Sequence, residues 1–147
     1  MEIRFAISGE EARVVEMIND LIIELGGSPL PVNEAAETTR LFIDGDLQGT
    51  VIVAENDNEL VGVCTLTYQP SIRTLGNYAI IQEMYVTPEF RSAKLGAQLI
   101  DSAKTIAADV GFPMVELSTP PNGERAENFY RNVGFTQVGV RMRHKFE

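Results

Sequence analysis

Two cations, Arg91 and Lys94, stand three positions apart in a chain of net charge −9, and Gly96 and Ala97 follow them. At the start of a helix this combination has a definite chemistry. The first N–H groups of a helix have no internal partner, and the aligned peptide dipoles place partial positive charge there. Small residues let a ligand approach the backbone, and flanking cations supply charge-assisted hydrogen bonds. Such a junction holds phosphate.

The neighbouring sequence supplies the elements that this junction needs. Tyr78 to Val86 is a mostly apolar stretch that reads as a strand. Thr87-Pro88-Glu89-Phe90 breaks it, because proline fixes its own φ, lacks an N–H and restricts the residue before it. From Leu95 the apolar residues Leu99, Ile100, Ala103, Ile106, Ala107 and Val110 recur at helical spacing.

Elsewhere the pattern predicts an alternating strand over Glu2–Ile7 and a helix opened by Ser8 and Glu11 as a capping box. That helix carries Val14, Val15, Ile18, Leu21, Ile22 and Leu25 on one face, and a second starts near Asn33. Thr50–Glu55 and Leu60–Tyr68 read as strands joined by the tight turn Asn56-Asp57-Asn58-Glu59, with a loop over Pro70–Asn77. Met114–Ser118 is a short strand, Glu124–Val133 a helix capped by Gly134, and Phe135–Phe146 one or two final strands. With no repeat, linker or low-complexity tract, residues 1–147 are expected to form one α/β domain.

Composition narrows the function. The acidic balance argues against nucleic acid, which needs a basic face. No apolar run reaches the roughly 18 residues of a membrane span, and Met1–Phe5 lacks the regions of a signal peptide, so a cytoplasmic setting is expected. One cysteine, Cys64, and one histidine, His144, cannot make a Cys/His zinc site, and Cys64 reads as a small core residue. A Ser-His or Cys-His nucleophile would depend wholly on His144.

Two stretches together resemble a known family, the GNAT N-acetyltransferases. Arg91-Ser92-Ala93-Lys94-Leu95-Gly96 is similar to its loop Gln/Arg-x-x-Gly-x-Gly/Ala, departing where Lys94 replaces the middle glycine. Ala126-Glu127-Asn128-Phe129-Tyr130-Arg131-Asn132-Val133-Gly134-Phe135 matches Ala-x-x-Phe/Leu-Tyr-x-x-x-Gly-Phe. The resemblance extends over nearly the whole chain. It implies the single-domain GNAT fold, of α/β (α+β) class, in which helices flank a central mixed, mostly antiparallel sheet. It also implies acetyl-coenzyme A as cosubstrate. Its pyrophosphate would lie against Arg91, Ser92, Lys94, Leu95, Gly96 and Ala97, and its pantetheine arm along backbone N–H groups of Met84, Tyr85 and Val86 near a strand bulge. Asn128 stands in for a family asparagine that falls at Gly123 here, one place from Asn122.

The resemblance makes Tyr130 the acid that protonates the departing thiolate. A phenol of pKa about 10 gives its proton to a thiolate, whose thiol has pKa about 8.5, at a cost of only about 2 kcal/mol. The amine is harder. Its neutral form lies about 4.6 kcal/mol uphill at pH 7 when its pKa is near 10.4. Glu83 is the candidate base, since burial would raise its pKa toward neutrality. Its alternatives are pairing with Arg73 or Arg143, or simple attraction of a cationic amine.

The expected activity is direct acetyl transfer to a primary amine of a small molecule or peptide. Glu24, Glu34, Glu37, Asp44 and Asp46 would draw a cationic acceptor to a cleft at the ends of the first two helices. The alternative is a non-catalytic module that binds or senses acyl-coenzyme A. The identity of the amine, and whether the chain forms a homodimer, are open at this stage.

Overall fold

The computed structural model describes residues 1–121 and 123–147. They divide into two compact units, Met1–Leu117 and Ser118–Glu147. The amino-terminal unit runs β1 (Glu2–Phe5), α1 (Glu11–Glu24), α2 (Val32–Ile43), β2 (Gly49–Asn56), β3 (Glu59–Ser71), β4 (Gly76–Val86), α3 (Leu95–Asp109) and β5 (Val115–Glu116). The strands form a sheet in the order β1-β2-β3-β4-β5. The first three pairings are antiparallel and β4–β5 is parallel.

Local chemistry explains most of these boundaries. Asp57 and Asn58 take φ of 49° and 67° in the β2–β3 turn, the left-handed pair that a two-residue hairpin needs and that Asp and Asn tolerate. Ser8 does not cap α1, contrary to the expected capping box. Gly9, at φ 100°, turns the chain, and Glu11 instead accepts the Gly9 N–H at 2.8 Å. Arg4 on β1 fixes this entry, bonding Glu10 at 2.6 Å and Glu55 at 3.2 Å. The expected Pro70–Asn77 loop is shorter: Pro70 pairs with Asn77 and Ser71 with Gly76 as strand, leaving a 3-10 turn at Ile72–Thr74 and Leu75 as the tip.

Helices cover both faces of the sheet. Val14 and Met17 of α1 pack with Val51, Val53, Val63 and Tyr85 on one face. On the other, Leu95, Leu99, Ile100 and Ala103 of α3 are buried, and a Cβ added at Gly62 would lie 3.0 Å from the Leu99 Cδ1. Cys64 is buried here as well, and burial pushes its thiol up to about 12, so it behaves as a small apolar residue. No helix among the described residues is long and apolar enough to cross a membrane.

The carboxy-terminal unit contains α4 (Glu124–Asn132). The strands expected over Phe135–Phe146 do not form. The period-two alternation is present, but no second extended segment within this unit pairs with it. Val138, Val140, Met142 and Phe146 accordingly remain 82–91% exposed. Alternation specifies which side a residue faces only once a ladder exists.

Gly49 tests the packing of α2 on the sheet. A methyl there would sit 2.3 Å from the Leu66 carbonyl and 2.9 Å from the Phe42 ring. Gly49→Ala should lower the unfolding free energy by about 1–3 kcal/mol in urea titration. Gly139→Ala, which meets nothing within 4 Å, should change it by less than about 0.5 kcal/mol.

Candidate active site

The site is organised by a break in the β3–β4 ladder. Cys64 pairs with Met84 and Leu66 with Ile81, so Thr65 alone faces both Gln82 and Glu83. This extra residue is a β-bulge. The Thr65 hydroxyl repairs it from both directions, accepting the Glu83 N–H at 3.0 Å and donating to the Glu83 carboxylate at 2.6 Å. In an unbroken strand neighbouring side chains point to opposite faces. Here Gln82 and Glu83 line the same cavity, and Gln82 donates to Thr67 at 2.9 Å.

That cavity, about 570 Å³, lies between α1, α2 and the sheet. Its walls are mainly apolar, with Ile18, Leu21, Ile22, Leu30 and Phe42 opposite Val51 and Thr65. Burial pushes the Glu83 carboxyl above the ordinary carboxylate range, and the Thr65 hydrogen bond offsets part of that shift. Arg73, weighed as a partner of Glu83, lies instead beside Glu116 at 3.6 Å and over the Tyr78 ring. Of the five carboxylates expected around the cleft, only Glu34 lines it. Glu37 and Asp44 are paired with Arg40, and Glu24 with Arg91.

The opposite edge of β4 is only partly paired. β5 pairs only with Ala79 and Ile80, and beyond them no strand among the described residues joins that edge. The Thr87 N–H bonds Val61 of β3 at 2.9 Å and the Glu83 N–H bonds Thr65. By strand alternation the Tyr85 N–H also faces β3, while those of Met84 and Val86 face the open edge. Tyr85 contributes its ring to the core instead.

Past β4, a 3-10 turn at Pro88–Ala93, which carries Ser92, leads to Lys94 at φ 60° and ψ 16°, and α3 begins at Leu95. The left-handed conformation explains why a glycine suits the Lys94 position. A single left-handed residue after a right-handed turn also aims successive N–H groups into an anion-binding hollow. Lys94 makes no side-chain cap, and no acidic residue stands in the first turn of α3, where Gly96 and Ala97 lie. These features fit the pyrophosphate and pantetheine arm of acetyl-coenzyme A. Arg91 is held beside the same edge: Nε donates to the Val86 carbonyl at 2.8 Å, Nη2 to Glu24 at 2.5 Å, and the guanidinium lies over the Tyr85 ring.

In the carboxy-terminal unit, the Tyr130 ring packs edge-on against Phe129 at 5.0 Å and Phe135 at 5.9 Å, and Asn128 is exposed on α4. Asn122 lies outside the described residues. Sequence reasoning missed Thr65 and Gln82. Adjacent polar residues, Gln82-Glu83, inside an otherwise apolar strand were the available sign of a bulge.

Comparison with known proteins places these features in context. The model of the acetyltransferase (GNAT) family matches residues 16–135. An aminoalkylphosphonate N-acetyltransferase from Salmonella typhimurium is 33% identical over 90 residues, which span 61% of this chain and 58% of that protein. The crystal structure of a transcriptional regulator from Bacillus halodurans superposes with a TM-score of 0.85 at 26% identity, covering 99% of both chains. That of a possible acetyltransferase from Clostridium difficile gives 0.86 at 21% identity, covering 99% of this chain and 96% of the other.

Two stability measurements check the geometry. Lys94→Gly relieves a left-handed lysine and should raise the unfolding free energy by about 0.5–1 kcal/mol, net of the added chain entropy; a loss would mean that the lysine side chain supports the junction. The folded protein holds the Glu83 proton more tightly than the unfolded chain does. The resulting stability is intact below the unfolded value of about 4.3 and is lost as pH rises through the raised folded value. Urea midpoints across that range should fall in the wild type relative to Glu83→Gln, and parallel curves would contradict the burial of Glu83.

Proposed function

The chain belongs to the acetyltransferase (GNAT) family, and from that premise we propose that it transfers an acetyl group from acetyl-coenzyme A directly to a primary amine. The reading takes residues 1–147 as one acetyltransferase domain; the family match crosses the boundary between the two compact units. The observation that carries it is the division of labour on β4. The bulge turns the Glu83 carboxyl into an apolar cavity, while the N–H groups of Met84 and Val86 point to the open edge.

When bound, acetyl-coenzyme A supplies the acyl thioester that the amine attacks. The remaining work falls to the chain. Leu95, Gly96 and Ala97 offer N–H groups at the α3 start, and Lys94 and Ser92 flank them. Arg91 would complete the cradle by exchanging Glu24 for phosphate. Their ion pair is partly exposed, so it contributes about 1 kcal/mol or less and competes weakly. The N–H groups of Met84 and Val86 would be the donors available to the acyl oxygen and the pantetheine amides. Glu83 accepts the ammonium proton, directly or through water; its raised pKa brings it closer to the range in which a base both ionises and holds a proton at neutral pH. From the second signature, Tyr130 is assigned the proton that the departing thiolate takes, with Asn128 as a further cofactor contact. A protonated amine is the acceptor's resting form, so the acceptor is cationic when it arrives.

The Salmonella relative is named for an acceptor that carries a phosphonate. No lysine, arginine or histidine is among the described residues lining the cavity here, so we do not carry that acceptor over.

Acetyl-coenzyme A at about 100 times its dissociation constant should stabilise the protein by roughly 2.7 kcal/mol. Tyr130→Phe should lower turnover about 100- to 10,000-fold with cofactor affinity retained. Glu83→Gln should be slowest near neutral pH and recover as alkaline conditions supply the free amine. Tight binding of the cofactor without coenzyme A release from any amine would favour an acyl-coenzyme A sensor.

A further inference from the structure

We propose that the acceptor is a primary amine bearing one charge on an otherwise uncharged, apolar body, and that Ile18, Leu21, Ile22, Leu30 and Phe42 select it. The proposal rests on the acetyltransferase reading and specifies its acceptor. The cavity holds about 570 Å³, room for a ligand body of several carbons beyond the amine. Its charged lining consists of Glu83, at the bulge, and Glu34, which is exposed at the rim. An amine that reaches Glu83 therefore lays its body against aliphatic and aromatic side chains contributed by both helices.

Charge placement separates this class from its rivals. A polyamine would strip water from its internal ammonium groups along walls that offer them no carboxylate, which is costly. A diamine could leave its second ammonium near Glu34, but an exposed pair in water contributes little. An anionic amine would face Glu83 and Glu34 with no cation among the described lining residues. An apolar body meets none of these penalties and gains from burial at every methylene.

The test is a series of n-alkylamines from propyl to hexyl, with phenethylamine, 1,6-diaminohexane, spermidine and 2-aminoethylphosphonate, read as coenzyme A release and, without cofactor, as calorimetric binding. Each added methylene should raise kcat/KM and affinity about fourfold, the equivalent of about 0.8 kcal/mol. The diamine, spermidine and the phosphonate should fall at least tenfold below hexylamine. Ala35→Trp, which fills the cavity, should flatten the series, and Ile22→Ala should extend the chain length at which it levels off. A flat series in the wild type, or spermidine or the phosphonate exceeding hexylamine, overturns the proposal. If no amine releases coenzyme A, the enzymatic reading fails, and the binding series alone then supports or overturns the acceptor class.

Discussion

A strand has two faces and two edges, and β4 must use all four for different purposes. One edge is committed to β3 and the other is released where β5 stops after Glu116. One face closes the core through Tyr85, and α3 packs on the other. A regular strand could not also deliver a carboxyl to the cavity beside Gln82. One inserted residue resolves the conflict, and the Thr65 hydroxyl satisfies the backbone and side-chain groups that the insertion would otherwise leave unpaired. The position of Glu83, its environment and the direction of the Met84 and Val86 N–H groups all follow from that local repair.

Desolvation at Glu83 and backbone strain at Lys94 both fall on the stretch from β4 to the start of α3. Glu83 bears the cost of an apolar setting, moderated by one short hydrogen bond. Lys94 occupies a conformation that side chains disfavour, so the junction exchanges some backbone strain for an added cation beside a helix start. Arg91 ties the end of α1, through Glu24, to the outer edge of β4. Such features are costly to the fold and are expected where chemistry takes place.

Much of this was legible in the chain. Helical spacing located α1 and α3, Asp57-Asn58 announced the hairpin, and a carboxylate within an apolar strand drew attention to Glu83. Three kinds of fact were not. A bulge was expected near Met84–Val86 from the family resemblance, but it requires no one side chain, so its register and the pairing of Thr65 with Glu83 had no signature. Partners far apart in sequence were hidden as well: Glu24 meets Arg91 across 67 positions, which removed it from the acidic cleft that composition suggested. Alternation at Val138, Val140 and Met142 described the side chains of a strand but could not supply the neighbour that makes one.

The site depends on burial of the Glu83 carboxyl in the apolar cavity, which makes it hold a proton more tightly than an ordinary carboxylate. Carboxyl-carbon NMR of glutamate-labelled protein, titrated from acid to neutral pH, measures this directly. One resonance should titrate above the ordinary value of about 4.3, vanish in Glu83→Gln and shift in Thr65→Val as the stabilising hydrogen bond is lost. If every glutamate titrates in the ordinary range, Glu83 is solvated, and the cavity is not the proton-accepting site described here.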